Sequence, residues 1–421
     1  MSWIGKPIGW WITLPVWIAL LLSCGREIPI EKQVDELLQK RAYAQALDLL
    51  GEKLKREPKA WPLQDLRVGV LVAAGRPDEA LSSYAERYRQ GGPDSPRLFR
   101  RIAVALLEDA ISNGDGLLPS RAAAVLGASA SADLLPLWGR ALSHRDASVR
   151  ALAAQGLSAL SSEEAGSLLR QALTDPSADV RAAAISALAG RQDEESRMSV
   201  ERALEDSSGL VRLRAAAVLA TKGGAGRPSL LVEFLKDRDD AIRMQAAEVL
   251  GHLGDPSAVP VLEPLLHDEN PYVRIYGGEA LARLNDPRGR EALHRGLRHP
   301  NHSVAMYAAE AFSNLGDAAG SARLVQALDV KQETSSRLYA AWTLARLGDL
   351  RGQPILDELL HHPDEQVRGQ AAWTLGQLGG EAGIPSLRQA LVDPARPVRL
   401  QAVWALAFKL HANASRTPAG S

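Results

Sequence analysis

The sequence predicts an all-α fold, a right-handed α-solenoid of stacked helix pairs, and three observations predict it. The first is a phrase that recurs between Val149 and Arg399, opened by Arg150, Arg181, Arg212, Arg243 and Arg274, then Ala305 in the same slot, then Arg337, Arg368 and Arg399. The step is 31 residues everywhere except for one step of 32. Each copy runs as a branched residue, Arg, two mixed positions, an Ala pair and a Leu, as in Ile242, Arg243, Ala246, Ala247 and Leu250. The second is punctuation: Leu253-Gly254-Asp255-Pro256 ends one helix on Gly and starts the next with an Asp cap and Pro, and Asp286, Asp317 and Asp349 repeat the cap in register. The third is composition, rich in Ala and Leu with only 5% aromatic residues, which favours thin helical packing over one large core. Units of this size cannot bury their apolar faces alone and must stack.

The bulk numbers narrow the function. The chain has 421 residues, 46% hydrophobic and 24% charged, a globular balance. Its formal net charge of −1 provides no basic field to hold a polyanion, so nucleic acid is not an expected partner. A single Cys excludes an intramolecular disulfide and a Cys-based zinc cluster.

That Cys closes the amino-terminal segment. Lys6 is the only charge before Arg26, an apolar run extends from Ile8 to Leu22, and Ser23-Cys24 follows, which is the plan of a secretory signal over residues 1–23. Leu21-Leu22-Ser23-Cys24 resembles the lipobox of bacterial lipoprotein signal peptides, although Leu22 stands where a small residue is usual. The resemblance implies acylation of Cys24 and a lipid-anchored protein of the bacterial cell envelope. Gly25 follows the Cys, where an Asp would suggest inner-membrane retention, so the outer membrane is favoured. The alternative is a single uncleaved membrane anchor, for which the run is short and interrupted by Pro15.

After a linker over 24–30, residues 31–116 follow a different period. Tyr43, Ala46 and Leu50 are echoed 34 residues later by Pro77, Ala80 and Tyr84, and Pro58 by the Gly91-Gly92-Pro93 turn. This spacing resembles the tetratricopeptide repeat, a helix-turn-helix unit, in two degenerate copies followed by a solvating helix near 97–112. The region is expected to cap or space the array, with peptide binding as the sharper alternative.

The array itself is expected over 117–410, ahead of a flexible tail at 411–421. In each unit one helix runs through residues such as Val259, Leu262, Leu265 and Leu266, a turn at 267–271 breaks it, and Val273-Arg274 opens a second, antiparallel helix. Period, caps and Arg together resemble the HEAT repeat in the short form typified by the phycobilisome lyase family. With units about 8–10 Å apart, nine or ten would form a curved rod roughly 80–100 Å long. The resemblance implies that the second helix lines its concave face.

The Arg ladder is read as structural, because regular repetition is what packing requires. Six residues before the Arg slot stand Asp175, Asp206, Asp237, Asp268 and Asp393, each able to accept from backbone N–H groups and from Arg at once. His144, His299 and His362 replace the Asp in three other units. No catalytic site, cofactor or metal is expected, and the chain is not read as an enzyme. It contains no phosphate loop, nucleophile elbow or zincin motif, nor the His-Glu pair through which deoxyhypusine hydroxylase, a HEAT-type enzyme, binds iron.

The variable signal lies on the other face of the second helix. At 100° per residue, positions two, five and nine after the Arg slot point away from the core. Position five reads Glu248, Glu279 and Glu310, then Trp342, Trp373 and Trp404. Position two supplies Tyr276, Tyr307 and Tyr339, and position nine supplies Arg346 and Phe408. Three successive Trp would form an exposed strip of residue types that dominate binding hot spots. The alternative is that the Trp rings pack between neighbouring helices. The expected protein is therefore a non-enzymatic, monomeric, membrane-anchored scaffold that binds a protein or peptide on its concave face. A lyase-like or chaperone-like accessory cradling a small aromatic ligand on the Trp stripe, and a purely structural spacer, are the rival readings.

Overall fold

The structure, a computed structural model, describes residues 29–129, 131–222, 228–378 and 383–410. The expected signal segment with Cys24 and the expected tail at 411–421 lie outside the described residues. Among the described residues every regular element is a helix, and the chain divides into two compact units, residues 1–93 and 94–421.

The first unit holds two helix hairpins, α1 (Ile30–Gln39) with α2 (Tyr43–Arg56) and α3 (Trp61–Ala73) with α4 (Pro77–Arg89). The 34-residue echo is the register of the two second helices, whose first residues are Tyr43 and Pro77. Ala46, Leu50, Ala80 and Tyr84 are buried because they share one helical face and meet the adjacent helix there. Arg87, 1% exposed, folds back onto Asp65 at 2.7 Å and ties α4 to α3.

Among the described residues the second unit is an array of ten helix pairs, α5 to α24. The first helices of the pairs are α5 (Pro96–Asn113), α7 (Leu135–Leu142), α9 (Glu163–Ala172), α11 (Glu194–Arg202), α13 (Ser229–Val232), α15 (Val259–Leu262), α17 (Pro287–Leu297), α19 (Ala318–Gln326), α21 (Gln353–Leu359) and α23 (Ile384–Ala390). The second helices are α6 (Leu118–Ser129), α8 (Ala147–Gly156), α10 (Ala178–Leu188), α12 (Gly209–Lys222), α14 (Asp240–Leu253), α16 (Pro271–Arg283), α18 (His302–Asn314), α20 (Thr334–Arg346), α22 (Glu365–Leu378) and α24 (Arg396–Trp404). Helix α5, expected as a solvating helix of the amino-terminal region, is instead the first helix of the array. It buries Leu98, Phe99, Ile102, Leu106 and Ile111, and it falls on the array side of the division after Pro93.

Local chemistry sets the helix boundaries. Asp255, Asp286, Asp317 and Asp349 each accept the backbone N–H two residues on. The residue before each cap, Gly254, Asn285, Gly316 or Gly348, has φ between 61° and 76°, a left-handed conformation that Gly adopts freely and Asn tolerates. Small residues then let the second helices approach. A Cβ on Gly251 of α14 would lie 2.7 Å from the Cα of Ala280 in α16, so no larger side chain fits there without moving a helix. Successive second helices pack on one another, whereas successive first helices are splayed, so the array bends and the second helices form its inner face.

The arginine ladder fastens consecutive turns. Arg150, Arg181, Arg212, Arg243, Arg274, Arg368 and Arg399 each donate Nη1 to two carbonyls of the turn just before their own helix, for example Arg243 to Asp237 O at 2.8 Å. Arg150, Arg181, Arg243 and Arg368 also place a two-pronged guanidinium on Asp175, Asp206, Asp268 and Asp393, at 2.7–3.0 Å. The ion pair thus joins each turn to the next unit rather than closing within a unit. The same carboxylates accept the backbone N–H two residues on, and His144, His299 and His362 fill that role with Nδ1 at 3.1 Å. A histidine can imitate this turn but offers no carboxylate to Arg274, which would pair with position 299; Arg212, opposite Asp237, also has no fork among the described residues. Arg337, after the 32-residue step, departs from the pattern by donating to Leu328 O and forking onto Glu358 at 2.6 and 3.0 Å.

The bend brings the ends of the array together, which replaces the open rod expected from repeat spacing. Helix α24 packs on α5 and α6, and its π-helical continuation, Ala405–Leu410, packs on α5. Arg388 bonds Asp94 at 2.6 Å, Arg396 pairs with Asp109, and Arg100 lies over the Phe408 ring at 4.8 Å. Two expected groove residues are consequently not available to a partner: Trp404 is 1% exposed and Phe408 7%. Trp404 stacks on Trp373 at 4.3 Å and lies over Gly376 of α22, so it packs between neighbouring inner helices. Position five, expected on an open surface, is at Trp404 packed between α22 and α24.

Three outcomes follow. Trp404→Ala is expected to cost about 3–5 kcal/mol, as deletion of a buried Trp does, read as a lower urea midpoint. His299→Asp supplies the missing carboxylate for Arg274 and is expected to stabilise by about 1 kcal/mol, whereas an unchanged midpoint refutes that account of the gap. Arg150 and Arg181 hold Asp175 and Asp206 below the usual carboxyl range, and hydrogen bonding to Ser196 holds Asp193 down to about 2. Folded values below the unfolded value of about 3.9 mean that this stability is present above pH ~4 and is lost as pH falls toward 2. Urea midpoints over that range test it.

Candidate functional site

The luminal residues of α14, α16, α18 and α20 converge on one recess. Its wall includes Glu248 and His252 from α14, Tyr276, Glu279 and Arg283 from α16, Tyr307, Glu310 and Asn314 from α18, and Arg346 from α20, around a volume of about 180 Å³. Positions two, five and nine bring them together because they recur on one helical face and the 31-residue register stacks those faces side by side.

A hydrogen-bonded network crosses the helices. Arg283 donates to Glu279 at 2.7 Å within α16, and Asn314 Nδ2 reaches the same oxygen from α18 at 3.3 Å. Glu310 of α18 accepts from the Tyr339 hydroxyl and from Arg346, both on α20, and Arg346 also reaches Asn314 at 3.2 Å. This network spans the junction where the repeat step lengthens to 32 residues. Glu248, exposed at the edge, accepts no side-chain hydrogen bond among the described residues, while its carbonyl meets His252 Nδ1 at 2.8 Å.

Aromatic rings form a row beside the carboxylates. Tyr272 meets Tyr307 edge-on at 5.2 Å, Tyr307 meets Tyr339 at 5.7 Å, Tyr339 meets Trp342 at 5.8 Å, and Arg346 lies over the Trp342 ring at 5.4 Å. Tyr276 is half-buried, and its hydroxyl is pushed up to about 12 by burial first and then by Glu248, Tyr307, Glu310 and Glu279. Burial and Glu310 raise Tyr307 and Tyr339 as well. Arg214 of α12, one unit back, is shifted down by burial, with Glu248 opposing the shift.

Of the eleven residues expected on the partner surface, the structure therefore groups Glu248, Tyr276, Glu279, Tyr307, Glu310, Tyr339, Trp342 and Arg346. Trp404 and Phe408 are buried, and Trp373, half-buried, stacks on Trp404. Arg283 and Asn314 were not among the expected site residues. Their position-nine column and the Glu279–Arg283 spacing of four were visible in the sequence, but the crossing to α18 was not. Among the described residues there is no group of three or more His, Cys, Asp or Glu placed to hold a metal ion.

Comparison with known proteins bears on the fold. The profile of HEAT repeats matches residues 104–189, 167–228, 198–275, 263–335 and 321–407. No curated protein sequence matches. Similar solved structures include human deoxyhypusine hydroxylase in complex with glycerol, at 23% identity and TM-score 0.31 over 58% of this chain and 96% of that one. The complex of CpcE and CpcF of phycocyanin lyase from Nostoc is similar at 22% identity and TM-score 0.38, over 50% and 87%. The YibA protein of Escherichia coli is similar at 20% identity and TM-score 0.32, over 60% and 94%. The profile runs from the first helix of the array to its last, and the chain belongs to the HEAT-repeat family.

Proposed function

We propose that this protein is a non-catalytic scaffold that holds a partner protein or peptide on the inner face of its HEAT array, tethered to a bacterial envelope membrane through lipidated Cys24. The observation that carries the reading is the recess built by four successive inner helices and bordered by Tyr, Trp and Arg, the residue types that dominate interface hot spots. Its volume of about 180 Å³ lies below the ~300–1,000 Å³ of pockets that enclose drug-sized ligands, so it suits a projecting group of a larger partner. Support for a non-catalytic role comes from the carboxylates. Glu279 and Glu310 are each tied by an arginine and a second donor, an arrangement that fixes them in place rather than freeing one as a base.

The tether rests on the lipobox-like Leu21-Leu22-Ser23-Cys24 and on its holding the sole Cys. No helix among the described residues is long and apolar enough to cross a membrane. The tetratricopeptide-like register of α2 and α4 suits a spacer between tether and array.

Two experiments test the reading. Cys24→Ala is expected to abolish incorporation of a palmitate analogue and to release the protein from the membrane fraction, and a native protein that takes up no label ends the lipoprotein reading. A benzoylphenylalanine placed at Tyr307 is expected to crosslink one discrete partner in cells, whereas the same probe at exposed Arg295 on α17 is not. Equal crosslinking at both positions, or none at Tyr307, rejects the inner face as the partner surface.

A further inference from the structure

We infer that the recess receives a single basic side chain, preferentially an arginine guanidinium, presented by the partner polypeptide. The inference rests on the inner face being the partner surface and adds what that surface reads.

Size comes first. At about 30 Å³ per water, a volume of about 180 Å³ holds roughly six waters, enough for the end of one long side chain and too little for a folded element. Charge comes second. Three carboxylates, Glu248, Glu279 and Glu310, face two guanidiniums, Arg283 and Arg346, across the recess. The two arginines are neutralised by Glu279 and Glu310, which leaves Glu248 at the edge with no side-chain hydrogen bond among the described residues. Arg214 influences Glu248 from the neighbouring unit but does not line the recess and forms no ion pair with it among the described residues.

Wall chemistry selects the cation. Tyr276 and Tyr307 line the recess, and an aromatic ring attracts a cation placed over its face, most strongly where both are desolvated. A guanidinium slides flat between rings and forks onto a carboxylate with two N–H donors, which an ammonium cannot do. Glu248, the lining carboxylate with no side-chain hydrogen bond among the described residues, supplies the acceptor for that fork.

The test uses detergent-solubilised full-length protein labelled with fluorotyrosine, its resonances assigned with Tyr276→Phe and Tyr307→Phe. Capped Gly-Arg-Gly, Gly-Lys-Gly and Gly-citrulline-Gly tripeptides are titrated against it. The arginine peptide is expected to shift the Tyr276 and Tyr307 fluorine signals saturably, the lysine peptide more weakly, and the neutral isostere not at all. Glu248→Gln, an exposed change that removes no hydrogen bond from the network, is expected to weaken the arginine peptide about tenfold. Equal response to citrulline, or an unchanged affinity in Glu248→Gln, overturns the inference. If the arginine peptide fails while the Tyr307 crosslink to a partner persists, the basic-residue inference falls and the partner surface stands. If both fail, the surface falls with it.

Discussion

The structure depends on one repeated bond set, made by the arginine near the start of seven inner helices. Its Nη1 holds the carbonyls of the turn behind it, and in four units its other nitrogens fork onto the Asp of the turn ahead. Each such rung is partly buried and charge-assisted, which makes it stronger than an exposed pair and directional in a way that apolar contact is not. Apolar packing between Ala and Leu faces supplies the adhesion. The rung fixes the register at which that adhesion occurs, and the same rung repeated gives each unit nearly the same rotation relative to the last.

Accumulated rotation has a consequence that no single unit contains. Around the array it brings α24 onto α5 and α6, and the seam is finished by Arg388 with Asp94, Arg396 with Asp109, and Arg100 over Phe408. These contacts link residues roughly 300 positions apart, and they cover Phe408, which an open rod would leave on the inner surface. The same column one face earlier remains open and polar. There the longer step between units is bridged by Glu310, Tyr339, Arg346 and Asn314, so the recess doubles as the stitching of an irregular joint. A partner binding there would engage groups already held in place, which lowers the ordering cost of association.

Much of this was legible in the chain. The ladder, the Gly-Asp caps and the Ala pairs are local signals with local causes, and the helices they imply are present. The 34-residue echo likewise reports a true register between α2 and α4. The candidate site was legible as a face: Tyr276, Glu279, Tyr307 and Glu310 share helical positions, and the shared period aligns them. Which turn each carboxylate would brace, the place of α5 in the array, and the crossing of Asn314 to Glu279 depend on neighbours that spacing alone does not specify.

The sequence by itself determined the repeat unit, its two helices, its caps and the luminal column, because each arises from interactions within about one period of chain. Only the tertiary structure decided that the array closes, that Trp404 and Phe408 are buried, and that the acidic and aromatic residues of α14 to α20 enclose a recess. The physical reason is that closure depends on the small rotation between units. Bonds within one unit specify that rotation only loosely, and its effect grows with every copy until the two ends meet.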